Sequence, residues 1–424
     1  MSTPNPPTLS QGHACPACGL LCDDLPLDGS GRIRPNFACQ KSLGFFSQAY
    51  ASTHHSPRVD GQVCELGTAL AAAAAILKNS QQPLFAGLGT EVQGMRAILR
   101  LAKQCHATLD HMHSAATLRN TLAMQNSGWQ TTTLSEVKNR ADLILAIGTN
   151  LVSSHPRFFE KLVWNKDSLF NKGTPSVVYL AVGDADTQAG TAPDGTPATV
   201  LAADKTALPA IMAALNAMSN PAYAKSNKTT SVAGLPMAAL SGLLEKIQAA
   251  NYAVVVWSAS ELAYPHAELT VQSISQLIAK QGEHSRVAGL CLNSGDGDTS
   301  VSQTSTWLSG YPGRQRFSQN QAHYDTALFS TTEQIQSCDA LLWISSFNPK
   351  PAPDYAGPSI VIGHPSTPFE RPPRVFIPVG VPAVDDSGTL FRMDGSIALP
   401  IQKLRASPLP RLTDVINQLE ALIH

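Results

Sequence analysis

Seven continuous apolar runs limit what this chain can fold into: residues 83–89 (PLFAGLG), 141–148 (ADLILAIG), 176–182 (SVVYLAV), 252–257 (YAVVVW), 286–291 (RVAGLC), 339–344 (DALLWI) and 359–362 (SIVI). Each has the length of a strand, and none alternates between apolar and polar residues, so both faces of each strand must be covered. Segments rich in helix formers separate many of them, such as residues 66–78 (LGTALAAAAAILK) and a stretch from Thr90 to about Gln104. Strands buried on both faces and joined by helical crossovers predict an α/β protein built on parallel sheets.

A chain of 424 residues exceeds the roughly 250 to 300 residues at which one core stops growing. Several Rossmann-like lobes are therefore expected. Two polar, loop-like stretches punctuate the sequence, residues 184–198 (DADTQAGTAPDGTPA) and residues 219–235, the latter rich in Ser, Asn, Lys and Thr. The second marks a lobe boundary. The expected division is a small cysteine-rich head over residues 1–62, a first α/β lobe over 63–230, and a second over 231–424. The last ends in a helix beginning near Thr413, with Val415, Ile416, Leu419, Leu422 and Ile423 as its apolar stripe.

Composition excludes several classes of function. The formal net charge of -1 gives no field to draw in nucleic acid or an anionic membrane. Neither a basic start followed by an apolar run nor a stretch of about 18 uninterrupted apolar residues is present, so no membrane association and a cytoplasmic location are expected. Apolar residues make up 43% of the chain and DEKR only 14%, a thin charged surface for a large free monomer and a sign of subunit contacts. Several runs end in turn formers, among them Gly87-Leu-Gly89, Gly148-Thr-Asn150, Ser345-Ser-Phe-Asn-Pro349 and Gly363-His-Pro365. In doubly wound sheets ligands sit at such carboxyl ends. No G-x-G-x-x-G or G-x-x-x-x-G-K-[ST] pattern occurs, so neither a dinucleotide nor a nucleoside triphosphate is assigned.

Of eight cysteines, four fall in the first 39 positions, within His13-Ala-Cys15-Pro-Ala-Cys18-Gly-Leu-Leu-Cys22-Asp-Asp and Ala38-Cys39-Gln-Lys. Eight are too few for a disulfide scaffold in a chain this long. The C-x2-C-x3-C-x16-C spacing puts three thiols on one loop, and a turn containing Gly29, Gly31 and Pro35 can return Cys39 to them. Such a gathering of soft ligands suits an iron–sulfur cluster first. A four-cysteine zinc site comes second, and a set of reduced thiols without metal third.

The stretch CPACGLLCDDL, Cys15 to Leu25, resembles the amino-terminal motif of the B subunit of formylmethanofuran dehydrogenase, a family that also resembles molybdopterin-dependent formate dehydrogenases. The likeness continues through Gly128-Trp-Gln, Glu136-Val-Lys-Asn-Arg-Ala-Asp142, Gly148-Thr-Asn150 and Ser154-His-Pro-Arg157. It returns at Gly310-Tyr-Pro312, Phe347-Asn-Pro349, Ile377-Pro-Val-Gly380 and Gly388-Thr-Leu-Phe-Arg-Met-Asp-Gly395. The resemblance implies a formate dehydrogenase/DMSO reductase-like arrangement of lobes. It also implies that Cys15, Cys18, Cys22 and Cys39 are the metal-ligand positions, with one 4Fe-4S cluster as their occupant.

In dehydrogenases of this family a cysteine or selenocysteine just before the segment matching residues 122–137 ligates the pterin-bound metal. Here that region is residues 109–119 (LDHMHSAATLR), and no cysteine occurs between Cys105 and Cys291. Ala115 or Ala116 stands where the thiolate is needed, and His111, His113 and Ser114 do not reproduce a soft anionic ligand. No catalytic residue and no molybdopterin or tungstopterin are therefore expected. The bacterial branch of the family implies a non-redox structural B subunit of a formyltransferase/hydrolase complex. There an amidohydrolase-like A subunit, a C subunit and a formyltransferase D subunit convert formyl-tetrahydromethanopterin to formate in methylotrophic one-carbon metabolism. The rival readings are an active molybdenum or tungsten subunit wired through a cluster, and a free zinc-ribbon-bearing binding protein.

Overall fold

The computed structural model describes residues 12–51, 56–170, 173–220 and 230–424. The chain divides into two compact units, and neither is a continuous stretch of sequence. Unit 1 comprises the described residues of Met1–Ser114 together with Gly295–Arg392 and Ile397–His424, and unit 2 comprises Ala115–Ser294 with Met393–Ser396. A boundary near residue 230 is therefore not where the units part. The stretch around it, of which residues 221–229 lie outside the described residues, leads into a small hairpin, Ser231–Val232 with Leu235–Pro236, inside unit 2. The physical reason is strand pairing: Ala253–Ser258 lies parallel to Leu143–Ile147, so hydrogen bonds tie together segments the linear division would separate.

Unit 2 holds a five-stranded, wholly parallel sheet in the order Val287–Leu292, Ala253–Ser258, Leu143–Ile147, Ser176–Leu180, Thr199–Leu201. This is a doubly wound order, with its switch point between Leu143–Ile147 and Ala253–Ser258. Trp257 is fully buried in its core; the indole N–H donates to Asn120 Oδ1 at 2.9 Å and the ring tilts against Trp129 at 5.7 Å.

Unit 1 is built on a nine-stranded sheet. Five parallel strands form its centre, in the order Thr108–His111, Pro83–Gly89, Ala340–Ser345, Ser359–Gly363, Val375–Pro378. Along the chain this is 2-1-3-4-5, which places a switch point between Pro83–Gly89 and Ala340–Ser345. Antiparallel hairpins blunt both edges: Gln315–Ser318 with Gln321–Tyr324, and Arg58–Val59 with Gln62–Val63. Helices Leu66–Asn79, Val92–Gln104 and Leu412–Ile423 cover one face with Leu70, Leu77, Met95, Ile98, Val415 and Leu419. The opposite face, with Leu84, Leu341, Trp343 and Phe376, is covered by Ile335, Tyr355 and Phe369 from irregular segments.

All seven apolar runs are strands, shifted by a residue or two at their ends. The last helix starts at Leu412 with Arg411 at its cap and no side-chain cap bond, so Thr413 lies one residue inside it. Its stripe is core at Val415, Ile416 and Leu419, whereas Leu422 is 44% exposed. The cysteine-rich stretch is not a free-standing head. Leu21, Leu25, Phe45 and Phe46 pack with Phe347, Val381, Val384, Leu390 and Ile401 of unit 1, because some fifty residues bury too little surface to make a core of their own. Among the described residues no helix is long and apolar enough to cross a membrane.

Gly87 tests the sheet directly. It sits at φ +79°, and a β-carbon there would lie 2.5 Å from the Ile344 carbonyl oxygen. Gly87→Ala should destabilise the protein by about 2 kcal/mol or more through backbone strain plus overpacking, read as a lower denaturant midpoint. An unchanged midpoint would contradict this packing.

Candidate functional site

At the switch point of unit 1, Gly87 and Leu88 both have positive φ, +79° and +56°, and the pairing with Ala340–Ser345 shifts register there. The resulting kink turns the Gly89 carbonyl across the crevice, where it accepts from both the backbone N–H and the hydroxyl of Ser346 at 2.8 Å. Beyond the kink, Glu91 caps helix Val92–Gln104 with its own side chain. Its carboxylate accepts from the N–H groups of Gln93 at 2.9 Å, Gly94 at 2.7 Å and Thr389 at 3.1 Å. Glu91 is only 5% exposed.

The neighbouring strand Thr108–His111 leads into the segment where the family's metal ligand is expected, and polar bonds pin it on both faces. Thr108 accepts from Arg316 Nε at 2.8 Å. Asp110 accepts from the Thr331 N–H at 2.6 Å and hydroxyl at 2.8 Å and stands 3.6 Å from Arg314. Burial nonetheless raises its carboxyl above the ordinary range. On the other face, the N–H of His113 donates to His111 Nδ1 at 3.0 Å, and His113 Nε2 lies 2.9 Å from Asp296 Oδ2. The Asn348 amide donates to Asp296 Oδ1 at 2.5 Å. Asp296 adopts φ +51° between two glycines that also have positive φ, and those hydrogen bonds lower its pKa against the penalty of burial. His111 is pushed down to about 4, chiefly by burial. Both histidines are thus engaged in internal bonds.

Cys105 offers no substitute thiolate. It lies at the end of helix Val92–Gln104, packed in the hydrophobic core, where burial pushes its thiol up to about 12.

Unit 2 closes its own switch point in another way. Glu261, just after Ala253–Ser258, accepts from Thr149 Oγ1 at 2.7 Å and from Lys205 Nζ at 2.8 Å. A β-carbon on Gly148 would lie 2.9 Å from Leu262 and 3.0 Å from Leu208.

The cysteine loop is tied locally. Cys15 N–H donates to the Cys22 carbonyl at 2.9 Å, His13 N–H to Leu25 at 2.8 Å, and a turn closed by Asp28 carries the chain towards Cys39. Cys39 precedes helix Gln40–Ala51 and its sulfur accepts the Ser42 N–H at 3.4 Å. Burial raises the Cys15 thiol to about 12, with Ser42 and Ala17 pulling it back and Cys18 and Cys39 close enough to act on its charge. Cys15, Cys18 and Cys22 are buried. Four thiols are the donor chemistry of a cluster; with the side chains placed as they are, no three His, Cys, Asp or Glu among the described residues are arranged to hold a metal ion. No chemical step is derived through such a group.

Sequence reading located the strand ends and the cysteine loop but missed Glu91, Glu261, Lys205 and Asp296. A signal for Asp296 was present in Gly295-Asp-Gly-Asp298, where an acid between two glycines marks a strained turn. For Glu91 no signal stood out, because its third donor, Thr389, is remote in sequence.

Each of the two units is built around a parallel sheet with a doubly wound strand order. No protein-family model matches the chain. It is similar to the B subunit of the tungsten-containing formylmethanofuran dehydrogenase 2 of Methanocaldococcus jannaschii, 24% identical over 407 residues, 92% of this chain and 91% of that one. The corresponding subunit of Methanococcus maripaludis is 22% identical over 419 residues, 94% of this chain and 95% of its own. The B subunit of the formyltransferase/hydrolase complex Fhc of Methylorubrum extorquens is 28% identical over 338 residues, 78% of this chain and 87% of that one. The chain is a homologue of these B subunits. The crystal structure of FhcABCD from M. extorquens, in complex with methylofuran, shows the same fold, with a TM-score of 0.71 at 24% identity over 87% of this chain and 98% of that chain.

Burying neutral histidines has a pH signature. His111 and His364 are both pushed from 6.5 to about 4, so below pH 6.5 the unfolded chain takes up protons that the folded one refuses. Their contribution is complete above that value and is lost as pH falls towards 4, at up to about 1.4 kcal/mol per pH unit for each group. His364→Asn should flatten the acid side of the stability–pH curve by up to one proton, measured by denaturant unfolding at fixed pH steps. An unchanged slope would show that His364 is not buried neutral.

Proposed function

We propose that this chain is the non-redox, structural B subunit of a cytoplasmic formyltransferase/hydrolase complex that converts formyl-tetrahydromethanopterin to formate in methylotrophic one-carbon metabolism. Its partners are an amidohydrolase-like A subunit, a C subunit and a formyltransferase D subunit. The scaffold is that of the formate dehydrogenase/DMSO reductase group, with its cofactor positions taken over by side chains. One observation carries this reading: the segment that should present a metal-ligating thiolate contains none, and its polar residues are bound internally, Asp110 to Thr331 and His113 to Asp296. The similarity to the B subunit of Fhc supports it.

The rival, an active molybdenum or tungsten subunit, draws on the two relatives named as tungsten-containing. Purification of the native complex with metal, pterin and acid-labile sulfide analysis separates the two. The expected result is formate production with neither molybdenum nor tungsten; stoichiometric metal with extractable pterin would replace this reading with its rival.

The same reading makes the cysteine loop a packed element. Leu25 is 1% exposed and Leu21 4% exposed in the cluster with Phe45 and Val384. Leu25→Ala should cost about 2 to 5 kcal/mol, whereas Cys18→Ser should cost under about 1 kcal/mol and leave formate production unchanged. Loss of a brown chromophore and of bound iron in Cys18→Ser would show instead that the loop holds a cluster.

A further inference from the structure

Unit 2 carries a pair of exposed apolar side chains on a braced loop. Leu169 and Phe170 are consecutive in sequence and 79% and 54% exposed. A single apolar side chain at a surface is ordinary, but this pair is held in place. Helix Leu134–Arg140 ends on the residues that hold it: the Asn139 carbonyl accepts from Ser168 Oγ at 2.9 Å, and Asn139 Oδ1 accepts the Leu169 N–H at 3.0 Å. Asn165 braces the same loop, accepting the Asp167 N–H at 2.7 Å and donating to the Lys138 carbonyl at 3.4 Å. The Arg140 guanidinium lies 3.9 Å from the centre of the Phe170 ring. The loop is thus ordered before anything binds it, which lowers the entropic cost of using the pair as an interface anchor.

The charges around the pair select what can cover it. Arg157 pairs with Glu160, Nε to Oε2 at 2.9 Å, and Asp142 accepts from the N–H groups of Asn251 and Tyr252 at 2.8 and 2.9 Å. Among the described residues no ion pair engages Lys138, Arg140 or Lys166, and Asp167 is the acid of the loop that stands with them. The rim is therefore net positive in a chain whose formal net charge is -1. A second copy docking through the same face would set these cations against themselves, and like charges across an interface are costly. A projection of two residues is also too small to hold the chain on a bilayer. We infer that Leu169 and Phe170 anchor a partner subunit of the complex, entering an apolar pocket whose rim is rich in carboxylates. The inference rests on the structural-subunit reading, which requires faces through which the chain meets other subunits, and deepens it by assigning one of them.

The test uses the native complex, made with the full chain as wild type, as Leu169→Ser and as the double variant Lys138→Glu, Lys166→Glu, with circular dichroism confirming that each folds. Dissociation on dilution, read by size-exclusion chromatography, should give a dissociation constant raised at least about tenfold by Leu169→Ser. The double variant should raise it as well and flatten its dependence on sodium chloride, because rim charges act through long-range attraction that salt screens. Amide hydrogen exchange at residues 166–170 should be slower in assembled wild type than after dilution. The inference is overturned if either variant dissociates as wild type does, if exchange at these residues is unchanged on assembly, if their protection tracks self-association of this chain, or if phosphatidylglycerol vesicles retain wild type and not Leu169→Ser. A wild-type chain that joins no complex overturns this inference and the structural-subunit reading together. A complex that behaves as expected here yet contains a molybdenum or tungsten pterin removes that reading alone.

Discussion

The hydrogen bonds from Ser346 to the Gly89 carbonyl express the constraint on which unit 1 depends. A parallel strand buried on both faces delivers its last polar backbone groups into the protein interior, where an unpaired donor or acceptor costs about 1 to 3 kcal/mol. In a ligand-binding protein, some of those groups face the ligand. In this chain they are satisfied internally: Gly89 by Ser346, the first turn of helix Val92–Gln104 by Glu91, the Thr331 N–H by Asp110, and the Asn348 amide by Asp296. In unit 2, Glu261 links Thr149 and Lys205. Each unit meets the same requirement separately.

Much of the fold was legible because its strongest determinant is local. Seven strands announce themselves as apolar runs, and their parallel pairing follows from burial on both faces. Thr108–His111 escaped because it alternates in a misleading way: Thr108 and Asp110 read as polar loop residues, yet both are 2% exposed or less, their burial offset by partners more than two hundred positions away. Val375–Pro378 escaped because its short run closes on a proline, which reads as the start of a turn. The division into units was hidden for a further reason. Unit 1 takes its first and second parallel strands from before residue 114 and the rest from beyond residue 295, and nothing in the linear pattern tells a strand which sheet it will join.

The candidate site was legible in the opposite sense. The absence of a thiolate between Cys105 and Cys291 is a fact of sequence, as is the crowding of Cys15, Cys18, Cys22 and Cys39. The internal bonding of Glu91, Asp296 and Glu261 is not, because they are ordinary acids whose partners are remote in sequence. The histidines show the same limit. The sequence says only that His111 and His113 cannot stand in for a soft thiolate, and the structure supplies the particulars: His111 is buried and accepts a main-chain bond, while His113 reaches Asp296.

Losing a cofactor is not a neutral event for a doubly wound protein. Phosphate-bearing ligands neutralise helix N-termini and occupy strand ends, so their departure leaves buried donors without partners and positive potential without a counter-charge. A chain that keeps the scaffold must replace both. An acidic residue at the helix start does so with the least rearrangement, since one carboxylate supplies the negative charge and several acceptor lone pairs. Glu91 places a carboxylate at such a helix start, and its bond to Thr389 ties helix Val92–Gln104 to strand Gly388–Phe391.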